Sequence, residues 1–205
     1  MQFTPDDRLV FIGDSVTDTG RDREDPASLG AGYVRLIAEA LPASGTVVNR
    51  GVNGHRVHDL EARWTRDVLD LAPTVVTVLI GINDTWRRYD QGLLSPVSEF
   101  EASLDRVLAS TEKRCALFVM TPFLLPTGPE QEAWLDDLGP RIEAVLRAAT
   151  AHGATIVRTD LAMLRAAEEH GAAALAPDGV HPSALGHRVL AGAWLTAAGV
   201  PVPSP

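Results

Sequence analysis

Residues 8–15 read Arg-Leu-Val-Phe-Ile-Gly-Asp-Ser, RLVFIGDS. Four apolar residues in succession, stopped by glycine and a polar pair, describe a short strand covered on both faces. Working outward, the same kind of run recurs at Thr46–Asn49, Thr74–Ile80, Cys115–Met120 and Thr155–Val157. Between these runs the apolar spacing changes to three and four residues. It does so at Val57-Leu60-Trp64-Val68-Leu71, Phe100-Leu104-Val107-Leu108, Ile142-Val145-Leu146-Ala149 and Leu185-Val189-Ala193-Ala197. Each is the single apolar stripe of a helix lying on a sheet. Ser98 and Glu101 have the spacing of a capping box ahead of the Phe100 stripe. Buried strands alternating with one-faced helices predict an α/β fold: a three-layer α/β/α sandwich on a five-stranded parallel sheet, with right-handed crossovers. Chemistry in such a sheet gathers at the carboxyl ends of the strands.

The chain has 205 residues, 45% hydrophobic and 22% charged. That length suits one domain over 1–205, and the composition is ordinary globular usage, which argues against disordered and fibrous classes. The formal net charge of -9 repels phosphate backbones and anionic lipid, so neither nucleic acid nor a membrane surface is an expected partner. A lone cysteine, Cys115, allows no intrachain disulfide; set in an apolar run, it reads as a small inert hydrophobe. The polar start followed at once by a strand fits no signal peptide, and Val75–Ile82 is too short to span a bilayer, so a cytoplasmic address is expected.

Read only at the strand ends, the chain shows Gly13-Asp14-Ser15, then Asn49-Arg50-Gly51-Val52-Asn53-Gly54, then Gly81-Ile82-Asn83-Asp84, and, before the last helix, Asp178-Gly179-Val180-His181. These residue types suit acyl transfer. A serine hydroxyl needs a base to take its proton, and His181 is the natural one for Ser15. Asp178, three residues earlier in a tight turn, can accept the imidazole Nδ1 proton and fix the tautomer. The tetrahedral intermediate needs donors for its oxyanion, and the Ser15 and Gly51 N–H groups with the Asn83 amide would serve. Glycine at 51 permits the backbone turn that aims its N–H inward, whereas Gly54 reads as a turn glycine.

These four blocks, in this order and approximate spacing over nearly the whole chain, resemble those of SGNH/GDSL hydrolases. The resemblance implies a flavodoxin-like sheet, a Ser-His-Asp triad, the three-donor oxyanion hole, and neither metal nor cofactor. A narrower likeness lies in FIGDSVTDTGR (11–21), GINDTWRRYD (81–90) and MTPF (120–123), which resemble bacterial acetylxylan esterases of that superfamily. It implies a small-molecule substrate, an acetylated saccharide or related ester. His55 departs from the pattern, where a small polar residue such as asparagine is expected.

Plainer roles stand beside these. Ser15 could only cap a helix, His181 end a loop, and Asn83 or Gly51 make a turn. Asp14 and Asp84 hold loops by hydrogen bonds or touch substrate, and Asp14 joins His55 and Trp86 as a candidate substrate contact. Asp18 and Arg21 are expected to brace the nucleophile's loop. Trp64 and Trp194 fall on apolar stripes and read as core. Trp86 does not, so it either stacks on a sugar ring or packs against a loop or second subunit, which leaves a homo-oligomer open. His55 and His58 lack the further ligands zinc requires, and His152, His170 and His187 read as surface or packing residues. The rival functions are a lysophospholipase, thioesterase or broad short-chain carboxylesterase, and a non-catalytic carbohydrate-binding relative. A nucleotide-binding protein would want a glycine-rich phosphate loop or Walker lysine that the first loop lacks.

Overall fold

The computed structural model describes residues 2–41, 45–111 and 115–202. Its strands are β1 (Arg8–Gly13), β2 (Thr46–Gly51), β3 (Val75–Leu79), β4 (Ala116–Met120) and β5 (Thr155–Val157). Its helices are α1 (Ser15–Asp18), α2 (Tyr33–Ala40), α3 (Val57–Asp67), α4 (Ile82–Asp90), α5 (Val97–Ala109), α6 (Pro129–Glu132), α7 (Leu135–Ala151), α8 (Thr159–His170), α9 (Ala172–Leu175) and α10 (Ala184–Ala197). All strand pairs are parallel, in the order β2-β1-β3-β4-β5. The five-stranded parallel α/β sandwich expected from the run pattern is the observed architecture. From β1 the chain moves to one side to form β2, and from β3 to the other side to form β4. The connections diverge there and leave a crevice at the carboxyl ends of β1 and β3.

Strand alternation decides which helices cover which face. Leu9, Phe11, Leu79, Phe118 and Met120 pack with residues of α2, α8 and α10, whereas Val10, Ile12, Val78 and Val119 pack with α3, α5 and α7. Both faces are buried, which is why the strands read as unbroken apolar runs. Trp64 and Trp194 are core, as their stripes predict, and each indole N–H finds a buried hydroxyl: Thr111 Oγ1 and Thr77 Oγ1, both at 3.0 Å. A third cluster of Ile82, Leu124, Trp134, Leu138 and Val180 ties α4 and α7 to the segment that ends in His181.

One local expectation is corrected. The capping box at Ser98 and Glu101 does not form, because α5 starts at Val97 with Pro96 as its N-cap. Proline's restricted φ and absent N–H suit a helix entrance, so Ser98 already lies inside the first turn. Glu101 instead accepts from Arg147 on α7 at 2.7 Å. Among the described residues no helix is long and apolar enough to cross a membrane.

Candidate active site

Strand β1 stops at Gly13, and Asp14 starts the next helix by accepting the Val16 N–H at 3.0 Å. Ser15 thereby takes the first position of α1, where a backbone N–H has no partner within the helix. Its Oγ lies 3.0 Å from His181 Nε2. On the far side of the imidazole, Asp178 Oδ2 is 2.6 Å from Nδ1. The other carboxylate oxygen accepts the N–H groups of Val180 and His181 at 3.0 and 2.7 Å, which closes the tight turn that the three-residue spacing required. Desolvation pushes the Asp178 carboxyl up, but the hydrogen bonds from His181 and Val180 outweigh it and hold its pKa below the usual value. A carboxylate facing Nδ1 keeps the proton there and leaves Nε2 to accept from the serine hydroxyl.

Asn83 is the second residue of α4 and almost fully buried; its Nδ2 donates to the His55 carbonyl at 3.1 Å. One turn further along α4, the Trp86 ring sits 5.7 Å from the His181 ring and 5.7 Å from that of Trp134, which stacks on Tyr89. Trp86 is half-buried, one side against this cluster. Gln131, not singled out in the sequence, donates to the Asp178 carbonyl at 2.8 Å and so buttresses the turn from α6. Nothing in sequence spacing points to it, because the contact joins positions 47 apart.

Ser15, Asn83, Trp86, Asp178 and His181 therefore meet at one sheet edge, but two expected members do not serve as expected. Gly51, read as an oxyanion donor, already donates its N–H to Asn49 Oδ1 at 2.8 Å. Its glycine identity has another cause: a Cβ there would come within 2.2 Å of the Asp18 backbone nitrogen, so α1 could not pack on β2. Gly54 has φ +79 and an N–H with no partner among the described residues, beside the His55 carbonyl that holds Asn83. Asp14, read as a candidate substrate contact, is 1% exposed and acts as the cap of α1. Asp84 is likewise structural, accepting from Val57 N–H at 3.1 Å and Ser95 Oγ at 2.9 Å.

The bracing expected of Asp18 and Arg21 falls on the glycine loop rather than on the nucleophile's own. Arg21 Nη2 donates to the Gly51 carbonyl at 3.0 Å, and Asp18 Oδ2 accepts from Asn53 N–H at 3.0 Å. His55 is half-buried, and its Nδ1 accepts from Arg63 Nε at 3.1 Å. Burial and then the Arg63 charge hold its pKa below the usual histidine value. His58 faces Asp59 instead, so the two histidines point to different partners. His187 is a packing residue, stacked on Tyr33 and accepting its N–H at 3.2 Å. Ser15 and His181 open into a cavity of about 440 Å³ lined by Asp18, Thr19, Gly20, Arg21, Arg23 and Asn53.

Buried Asp14 has a consequence for stability. Desolvation pushes its carboxyl to about 7, and its Oδ2 is buried without a partner among the described residues. An unfolded aspartate titrates near 3.8, so between pH 4 and 7 the folded state holds a proton that the unfolded chain has lost. Stability from this group is therefore present at pH 4 and lost as pH rises through 7. His187 acts in the opposite sense: desolvation lowers it to about 4, so it costs stability as pH falls from about 6.5 to 4. Asp14→Asn keeps an acceptor for Val16 and removes the ionisation. Its melting temperature relative to wild type is expected to rise from pH 4 to about pH 7 and to level off above that. A difference independent of pH, measured by thermal melts across that range, would refute the assignment.

The fold is a parallel α/β sandwich that carries Ser15, His181 and Asp178 in hydrogen-bonded line at the carboxyl end of its sheet. The chain belongs to the GDSL-like lipase/acylhydrolase family, whose profile matches residues 11–189. It is 36% identical over 209 residues to an acetylxylan esterase of Geobacillus stearothermophilus, with 95% of each chain covered. Its structure is similar to that of Axe2, an acetylxylan esterase from the same organism (TM-score 0.91, 35% identity, 100% of both chains). It is also similar to LAE5, an α/β hydrolase enzyme from the metagenome of Lake Arreo, Spain (TM-score 0.90, 34% identity, 97% and 98% of the two chains). Structures of catalytic mutants of Axe2 replace a serine, an aspartate or a histidine by alanine. The present chain is a carboxylic ester hydrolase.

Proposed function

We propose that the protein is a serine esterase that removes acetyl groups from sugar hydroxyls, with acetylated xylo-oligosaccharides as the preferred class. The observation that carries the mechanism is the unbroken line Ser15 Oγ–His181–Asp178 at 3.0 and 2.6 Å. His181 Nε2 takes the serine proton as Oγ attacks the ester carbonyl carbon. The resulting oxyanion is met by the Ser15 N–H, the second amide hydrogen of Asn83 and the Gly54 N–H, which takes the place first assigned to Gly51. The imidazolium then gives its proton to the departing sugar oxygen, leaving acetyl-Ser15. A water attacks that ester as His181 removes its proton; acetate leaves, and the proton returns to Ser15.

No large apolar side chain is among the described residues that line the cavity at the nucleophile, which suits a short acyl group. A long acyl tail needs an apolar trough, and Asp18, Arg21, Arg23 and Asn53 do not provide one. The Trp86 ring beside His181 offers a face for the sugar carrying the scissile ester. The similarity to acetylxylan esterases supports the same substrate class.

Among p-nitrophenyl esters, kcat/KM is expected to fall steeply from acetate to butyrate. An open apolar pocket would instead reward each methylene by about 0.8 kcal/mol. Trp86→Ala should lower kcat/KM for an acetylated xyloside more than for p-nitrophenyl acetate. Octanoate outperforming acetate would replace this reading with a lipid esterase or thioesterase. An equal loss on both acetate substrates would keep the small acyl pocket and remove the stacking role.

A further inference from the structure

We propose that Arg63 is a positioning residue for ester hydrolysis: its guanidinium joins the strand end that carries the nucleophile to the loop that carries the oxyanion donors, and so sets their separation. The inference rests on the reading of Ser15, Gly54 and Asn83 given above. Arg63 lies on α3 and is only 6% exposed. Its Nη2 donates to the Gly13 carbonyl at 2.9 Å, two residues before the nucleophile. Its Nη1 donates to the Arg50 carbonyl at 2.7 Å, where β2 runs into the Gly51–Gly54 loop. Its Nε donates to His55 Nδ1 at 3.1 Å, and the carbonyl of His55 receives Asn83 Nδ2. A single planar cation thus touches three segments that converge on the ester carbonyl.

The position explains why a buried charge is kept there. The register of β1 and β2 ends at Gly13 opposite Gly51, and the last backbone bond between the two segments runs from Val52 N–H to the Gly13 carbonyl at 3.1 Å. Arg63 adds a second donor to that carbonyl and ties it to the Arg50 carbonyl on the neighbouring strand. Asp67 faces it at 2.9 Å, but that carboxylate is also held by Arg66 Nε at 2.8 Å, so balancing Asp67 does not require Arg63. Three of the four hydrogen bonds of Arg63 go to the two carbonyls and the imidazole around the site. Lysine keeps the charge but not the fork that reaches all three at once.

The test is a kinetic cycle on p-nitrophenyl acetate with Arg63→Lys, Asn83→Ala and the double variant, each checked for native circular dichroism at the assay temperature. Arg63→Gln serves beside lysine, because it leaves no unpaired buried cation and Asp67 keeps Arg66. The expected result for either Arg63 variant is a fall in kcat of about 10- to 100-fold with KM within about twofold. Added to Asn83→Ala, either variant should lower kcat by no more than about threefold further, since both act on one set of donors. A kcat within twofold of wild type, or losses that multiply in the double variant, would overturn the role of Arg63 while leaving the oxyanion assignment standing. An Asn83→Ala variant with full kcat would overturn both. If neither Arg63 variant folds, Arg63 is a stabilising residue and the proposal falls.

Discussion

Ser15→Ala is expected to lose turnover of p-nitrophenyl acetate by on the order of 10⁴-fold or more in kcat, the scale on which a covalent nucleophile is missed. No neighbouring hydroxyl can take its place. Thr17 is buried against the Tyr33 hydroxyl at 3.0 Å, and the Thr19 hydroxyl donates to the Val16 carbonyl at 2.7 Å. Neither is hydrogen-bonded to His181. The fold should not suffer, because Asp14, not Ser15, caps α1, and the Ser15 side chain's bond is to His181. Melting within a few degrees of wild type is therefore expected beside the kinetic loss. A fluorophosphonate probe should label wild type at Ser15 and leave the variant unlabelled. Retention of more than about a tenth of wild-type kcat would mean another nucleophile. Failure of wild type to react with the probe would favour the non-catalytic carbohydrate-binding alternative.

The parts of this molecule legible in the sequence are those encoded locally. Five apolar runs declare the five strands, with the central β1, β3 and β4 buried and the edge strands β2 and β5 partly exposed, and the Phe100 and Leu185 stripes announce α5 and α10, because periodicity is a property of neighbours along the chain. Helix α8 was less visible for the same reason: its Leu161 and Leu164 are exposed, and Met163 is its one buried large apolar residue, so no clean stripe exists. Ser15, Asn83, Asp178 and His181 could be picked out because each directly follows a strand end or lies in a tight turn.

What sequence could not decide was the choice between residues that look alike locally. Gly51 and Gly54 are three apart in one loop, and either could offer an N–H. The choice is made by Asn49, whose side chain claims the Gly51 N–H, and by α1, which packs against Gly51. Asp14 adjoins the nucleophile, yet it turns inward to the helix it starts. Arg63 reads as one more polar position of α3 until the fold brings the carbonyls of positions 13 and 50 to it. Contacts of that kind depend on chain segments far apart in sequence, and a single sequence carries no local mark of them.

Asn83 gives the second large expected effect and separates transition-state chemistry from binding. Its Nδ2 carries two hydrogens, and the His55 carbonyl takes one at 3.1 Å, which fixes the side-chain rotamer with the other hydrogen free. Asn83 itself is 2% exposed, so its amide, placed where charge develops, is less screened by water than a surface donor would be. Asn83→Ala should therefore lower kcat by roughly 10² to 10³ with KM within about threefold, the pattern of an interaction made chiefly in the transition state. Asn83→Asp should be at least as damaging: an ionised carboxylate has no hydrogen to give and would face both the His55 carbonyl and the developing oxyanion. The loss in the alanine variant should also be the same factor for p-nitrophenyl acetate and for an acetylated xyloside, because the oxygen being stabilised belongs to the acetyl group and not to the alcohol. Steady-state constants on the two substrates decide the matter. If KM rises while kcat holds, Asn83 binds the ground state. If the factor differs strongly between the two alcohols, Asn83 contacts the sugar, and the free hydrogen is not aimed at the carbonyl oxygen.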